Sequence, residues 1–206
     1  MIITSIEPCV KTRNRSNVFI DGTFAFSVYN DIVLEAKLKS NTDVDEKFVA
    51  KVKAYDEYKR ALKKALEYIS FKDRTEKEVK EKLCDFRPVI VEKVIAYVNK
   101  KGYINDDEYA VEYTKHLVNK GYGQGKIRQK LFDKGIKSAV IENVLSTIVV
   151  EDVQNKAMEL GEKVWRKYSD DPSKASRKVV ENLVRHGYSY DIALGVLKSM
   201  EENDDN

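Results

Sequence analysis

The chain has 206 residues, 42% apolar and 34% charged, enough length and apolar content for one or two ordinary cores. Its formal net charge of +3 is too small to mark a nucleic-acid binder by itself, and no stretch approaches the roughly 18 consecutive apolar residues of a membrane span. The start MIITSIEPCVKTRNRS lacks the apolar centre of a secretory signal, and Cys9 and Cys84 are too few and too far apart for a disulfide framework or zinc site, so a cytoplasmic protein with reduced thiols is expected.

The first 42 residues read as a small β-containing unit. IITSIEP, SNVFIDG and TFAFSV are short β-branched or aromatic runs, and the last two meet at Asp21-Gly22, the dipeptide a tight hairpin turn wants because glycine accepts positive φ. NDIVLEAKL then opens with cap residues and turns helical in pattern. From Asp43 onward the apolar period becomes 3.6. Asp43 with Glu46, Thr75 with Glu78 and Asn105 with Glu108 have the capping-box spacing or its Asx analogue, and predict helix starts. NDDE at 105–108 resembles an acidic metal site but is explained by the preference for carboxylates at a helix N-terminus.

The core positions repeat. Ala61, Tyr109 and Ala157 lie 48 residues apart, as do Ile69, Leu117 and Trp165. Val79 to Ile127 and Leu83 to Leu131 are again 48 apart, but Ile127 to Val179 and Leu131 to Leu183 are 52, which predicts a four-residue insertion in or beside SDDPSK, a turn by composition. Third helices follow at Ile90–Val98, Val140–Leu145 and Ile192–Leu197, each with one apolar face. Gly135 and Gly187 fit left-handed helix ends before the second and third of these, whereas the first has FRP, with Pro88 starting the helix. Its register is offset: Leu83 to Ile95 is 12 residues against 14 from Leu131 to Leu145.

The fold expected is therefore mainly α: three tandem three-helix repeats in an elongated array, preceded by a small β-hairpin and β-α unit. The expected boundaries are 1–42, 43–104, 105–150 and 151–206. Net charge runs −1 over residues 1–50, +6 over 51–105, +1 over 106–150 and −3 over 151–206, where the tail EENDDN is acidic and read as frayed.

These motifs carry a resemblance. ALEYISFKDRTEKEVKEKL (65–83) followed by VIAYVNKKGYINDDEYA (94–110) is similar to the hallmark region of the RecX regulatory proteins of bacteria, and GQGKIRQKLFDKGI (123–136) resembles their second repeat. VFIDGTFAFSVYNDIVLEAKL is similar to the small β-containing extension of longer members, and the repeat region covers about Tyr58 to Met200. Each motif alone is mostly caps and core; their order and spacing are what make the match specific. The resemblance implies a modulator of RecA without catalytic activity of its own. Such proteins bind RecA and its filament on single-stranded DNA, lie along the filament groove, and oppose filament extension, ATP hydrolysis and strand exchange. The missing glycine of the first repeat, the insertion and the net −3 of the third depart from three equal units, and the last counts against equal phosphate contact by all three.

The candidate contact residues are the cations of the second helices: Arg74, Lys80 and Lys82 in the first repeat, Lys126, Arg128, Lys130 and Lys134 in the second, Arg177, Lys178 and Arg185 in the third. Because the Val, Ile and Leu anchors beside them face inward, most of these cations are expected to point outward, toward phosphate or an acidic RecA surface. The plainer reading is local: solvated helix faces, with Glu76, Glu78 and Glu81 pairing with Lys77, Lys80 or Lys82. Tyr103, Tyr122 and Tyr188 follow glycines or lie near them and could stack on bases, or complete helix packing, and burial is expected of Tyr113 and Trp165.

No active site assembles. His116 and His186 have no triad, metal-ligand or nucleophile partner in the sequence, and NKGYGQGKI is not a phosphate loop, since Ile127 follows Lys126 and no strand precedes it; Gly121 and Gly125 fit a helix end and the next start. No cofactor or metal is expected. The partners expected are RecA and its nucleoprotein filament, with weak single- or double-stranded DNA binding, no membrane, and a monomeric chain. The alternative is a helix-turn-helix module acting on DNA without RecA, for which QGKIRQK comes closest to a recognition helix.

Overall fold

A computed structural model describes residues 1–10 and 12–204. Strands β1 (Ile2–Pro8), β2 (Arg15–Ile20), β3 (Thr23–Tyr29) and β4 (Thr42–Asp43) form one antiparallel sheet in the order β3-β2-β1-β4. The β2–β3 hairpin turns at Asp21 and Gly22, both at positive φ (48° and 81°), as the dipeptide predicts. Ile3, Val18, Ile20, Phe26 and Val28 alternate onto one face, which packs on Ile32 of α1 (Asn30–Glu35) and Val52 of α2 (Glu46–Ile69). Tyr29, the residue before α1, supplies no side-chain cap to it. One sequence expectation shifts by two residues. Asp43 does not cap α2 but pairs in β4 and accepts from the N-terminal amine; Asp45 is the cap, accepting from the Phe48 N–H at 2.6 Å. Cys9 and Cys84 are free thiols.

One buried charge ties this sheet to α2. The Asp56 carboxylate, 3% exposed, accepts from Arg15 Nη2 (2.9 Å), Arg60 Nε (3.0 Å) and the Tyr29 N–H (3.0 Å), so its oxygens are satisfied where water cannot reach.

The remaining helices come in threes after α2: α3 (Glu76–Lys82) and α4 (Pro88–Lys100); α5 (Asp106–Asn119), α6 (Gln124–Asp133) and α7 (Ser138–Ser146); α8 (Val150–Lys167), α9 (Pro172–Arg185) and α10 (Tyr190–Asp204). The repeated anchors occupy matching environments: Val79 and Leu83, Ile127 and Leu131, Val179 and Leu183 are all 0% exposed. Thr75 and Glu78 form the reciprocal capping box expected of α3, and the Asn105 side chain caps α5. The acidic tail, read as frayed, continues α10 as far as Asp204; residues 205–206 lie outside the described chain.

The four-residue insertion falls in SDDPSK, as the spacing predicts, but as helix rather than turn. The connections at 120–123 and 168–171 have equal length, and Ile127 is the fourth residue of α6 whereas Val179 is the eighth of α9. Four residues make about one helical turn, so PSK begins α9 one turn early, with Pro172 at its first position and Asp171 accepting from the Lys174 N–H.

By contact the chain divides into two units, residues 1–72 with 79–103 and residues 73–78 with 104–206. The second unit contains a head-to-tail join made twice. The turn ending α9 meets the start of α6: the Gly123 N–H donates to the His186 carbonyl (2.9 Å) and the Gly125 N–H to the Gly187 carbonyl (3.0 Å). The turn ending α6 meets residues 75–77 in the same way, Thr75 Oγ1 donating to the Lys134 carbonyl and Lys77 Nζ to the Asp133 carbonyl, both at 2.8 Å. Thr75 and Gly123 are equivalent in the 48-residue register, as Lys134 and His186 are in the 52-residue one. At the α9–α6 join the carbonyls take backbone N–H groups that a helix start would otherwise leave unpaired, whereas at the α6–α3 join they take side-chain donors.

Candidate partner-binding surface

The register that buries the anchors sets where the neighbouring cations lie. Lys80 and Arg128, Lys82 and Lys130, and Lys126 and Lys178 are matching positions of the second helices. Lys82, Arg128, Arg177 and Arg185 are exposed, whereas Lys80, Lys126, Lys130, Lys134 and Lys178 are half-buried along their stems. Arg74 lies in the segment before α3, also half-buried, where its charge acts on Glu78.

Many of these charges already have partners within the chain. Lys80 pairs with Glu92 (3.1 Å) and Arg128 with Glu142 through two hydrogen bonds (2.7 and 3.0 Å), the same second-helix to third-helix contact in two repeats. In the third repeat the matching residues are Val180 and Leu194, so no ion pair forms at that station. Lys126 donates to Gln129 (3.0 Å), while Lys82 and Lys130 lie over the rings of Tyr68 and Tyr122 (5.4 and 5.0 Å). An aromatic face holds an ammonium without cancelling its charge, so Lys82 and Lys130 keep their field toward solvent.

Lys134 is engaged in the join. Its ammonium meets Glu78 at 2.6 Å. Burial alone would raise the Glu78 carboxyl, but hydrogen bonds from Lys134 and the Thr75 N–H, with the charges of Lys134 and Arg74, hold it below the usual carboxylate range. The hydrogen bond to Glu78 raises Lys134 in turn. Asp106 behaves differently: burial raises its carboxyl although it accepts from the Glu76 N–H at 2.9 Å.

In the third repeat Lys178 pairs with Glu181 at 2.6 Å and Arg177 approaches the same carboxylate at 3.7 Å. Lys178 and Arg185 also line a cavity of about 300 Å³ between α8 and α9, with Lys163 and Lys167 across from them. These two α8 lysines were not among the sequence candidates. Their i, i+4 spacing on α8 signals a shared face, but its meeting with α9 depends on the fold.

The aromatic and histidine residues divide between packing and surface. Tyr188 is buried, its hydroxyl donates to the Gly121 carbonyl (3.1 Å), and burial pushes its phenol up to about 12. Tyr122 stacks on His186 and Tyr113 on His116, Tyr113 and Trp165 are half-buried, and Tyr103 is 48% exposed. Among the described residues there is no group of three His, Cys, Asp or Glu side chains able to hold a metal, and no helix long and apolar enough to cross a membrane.

Comparison with known proteins agrees with this arrangement. Family models described as the regulatory protein RecX N-terminal domain, the RecX second three-helix domain and the RecX third three-helix domain match residues 1–45, 105–145 and 151–197. Proteins named "Regulatory protein RecX" are similar along the chain. The one from Limosilactobacillus reuteri (strain DSM 20016) is 31% identical over 87% of this chain and 69% of its own length, and that of Bacillus subtilis (strain 168) is 30% identical over 98% and 79%. The one from Clostridium perfringens (strain 13 / Type A) is 28% identical over 98% and 97%. A crystal structure of regulatory protein RecX superposes with a TM-score of 0.74 at 30% identity, covering 95% of this chain and 98% of that one. The crystal structure of RecX from Lactobacillus salivarius gives 0.66 at 28% identity, over 71% and 98%.

Proposed function

The chain belongs to the RecX family of regulatory proteins, and on that premise we propose that it binds RecA and RecA filaments on single-stranded DNA and restrains filament extension, ATP hydrolysis and strand exchange. The observation that carries this reading is the recurrence of cations at matching stations of successive second helices in a chain of this family. Lys80, Lys82, Lys126, Arg128, Lys130, Arg177, Lys178 and Arg185 are the contact residues on this reading; Arg74 and Lys134, beside Glu78, serve chiefly the chain's own packing and ion pairs. A regulator of this kind needs no turnover chemistry. It acts as a monomer in the cytoplasm, with DNA a weak partner in its own right.

The join between α6 and α9 holds the cations of the second and third repeats at fixed spacing, which suits a partner that also repeats. The contact is expected to be charge-steered and salt-sensitive. Binding measured against RecA filaments and against bare single- and double-stranded DNA over a salt series tests it. Preferential binding to the filament supports the proposal. Sequence-selective duplex binding that ignores RecA would replace it with a helix-turn-helix module.

A further inference from the structure

The cavity between α8 and α9 gathers charge that the chain leaves unbalanced. Lys163, Lys167, Lys178 and Arg185 line it against a single carboxylate, Glu181. Lys178 meets Glu181 at 2.6 Å, while Lys163, Lys167 and Arg185 have no carboxylate within ion-pair distance among the described residues. Lys167 instead lies 5.7 Å over the Tyr168 ring, with Lys174 also over that ring at 5.3 Å; these contacts position ammonium groups and leave their charge in place. On the cavity wall the Oδ1 of Asn182 is buried with no hydrogen-bond partner, an amide end left for a ligand or, after a half-turn, a donor left for one. On α6, by contrast, Arg128 is closed by the Glu142 carboxylate through two hydrogen bonds.

We propose that this cavity is a phosphate-binding site, taking a phosphodiester of single-stranded nucleic acid. The proposal rests on the filament-binding reading and identifies where the chain meets the DNA strand of that filament. It places the contact in the region of net −3 charge, because convergence of cations into a concave wall, rather than the regional sum, sets the local field. A cavity of about 300 Å³ has room for a phosphate with its attached sugar. A flexible single strand can feed a phosphate into such a recess; a duplex holds its phosphates on a stiff cylinder.

The test is fluorescence anisotropy of labelled oligo(dT) with the full chain over a salt series, comparing wild type with K163A/R185A, the charge-keeping K163R/R185K, and K126A/K130A. Among the described residues neither Lys163 nor Arg185 makes an ion pair, so K163A/R185A is expected to melt like wild type. We expect it to bind oligo(dT) about tenfold more weakly at 0.1 M salt, with the log–log salt slope smaller by about 0.7 for each phosphate no longer neutralised. K163R/R185K retains binding, and K126A/K130A changes it less than K163A/R185A does. Oligo(dT) binding by folded K163A/R185A equal to wild type, or no binding by wild type itself, overturns the site. Displacement of oligo(dT) by micromolar pyrophosphate or ATP overturns the strand assignment in favour of a free phosphate ligand. Inhibition of RecA by the wild-type chain is a separate readout, so failure of this site and failure of the filament reading are told apart.

Discussion

The Gly125 N–H donates to the Gly187 carbonyl at 3.0 Å, joining the start of α6 to the turn that ends α9. The approach is so close that a Cβ on Gly187 would collide with the backbone nitrogen of Lys126, and one on Gly123 would meet Gly187 and Tyr188 backbone at 2.5 Å. Gly187 is therefore needed twice, for its φ of +89° and for its missing side chain. The positions of α9 that match Gly123 and Gly125 are Ala175 and Arg177, so the backbone approach made at α6 is not available there.

A graded alanine series follows. Gly102 has φ +69° with open space around it, so G102A costs only the left-handed strain, about 1 kcal/mol. At Gly135 an added Cβ meets the Lys77 side chain at 2.6 Å, and G135A costs about 2 kcal/mol. At Gly187 the obstacle is backbone, and G187A costs about 3 kcal/mol or more. Thermal melts rank the three, and hydrogen exchange at residues 123–126 rises selectively in G187A. Equal destabilisation by all three would remove the join from the account.

The Glu78–Lys134 pair makes the first join acid-sensitive. Because the folded Glu78 carboxyl lies below its unfolded value of 4.5, its contribution is fully present above that pH and is lost as pH falls through the lower folded value. Asp106 works in the opposite sense, its raised carboxyl favouring the folded state as pH falls. E78Q is expected to cost about 1 kcal/mol near neutrality and to lose less stability than wild type on acidification below 4.5. Melts across that range check it; parallel pH curves for the two proteins would contradict it.

Removing the Asp56 carboxylate leaves Arg15, whose side chain is 16% exposed, without its ionic partner. D56A is expected to cost about 3 kcal/mol or more, read by urea denaturation, because a charge left buried and unpaired costs more than the intact pair contributes. A cost under about 1 kcal/mol would mean water or another group replaces the carboxylate.

Reversing charge at Lys126, Arg128 and Lys130 tests the α6 surface. Arg128 and Glu142 are both well exposed, so the fold gives up no more than about 1 kcal/mol with that pair. K126E/R128E/K130E is expected to stay folded by circular dichroism and to inhibit RecA-driven ATP hydrolysis about tenfold less effectively. Equal inhibition by the folded variant removes α6 from the contact surface.

Much of the fold was legible in the sequence because the repeated anchors obey a fixed helical period: Val79, Ile127 and Val179 needed only counting. The Asp21-Gly22 turn and the Thr75–Glu78 box were legible because their chemistry is local. The insertion was located in SDDPSK but its conformation was not, because Ser, Asp and Pro suit a turn and a helix start equally well, and Pro172 begins a helix. The joins were hidden because Gly135 and Gly187 are fully explained as helix ends until a neighbouring backbone is found against them. The contact residues were least legible. A lysine's spacing on its helix identifies its face, but not the carboxylate or ring on the next helix that takes it, as Glu142 takes Arg128 and Tyr122 takes Lys130.

The most direct test of the proposed function is ATP hydrolysis by RecA on single-stranded DNA with this chain titrated in, followed in parallel by filament length. Hydrolysis and filament length falling together, saturably and less strongly at high salt, is the predicted result. Hydrolysis and filaments unchanged at every ratio of this chain to RecA, with the chain folded throughout, would contradict it.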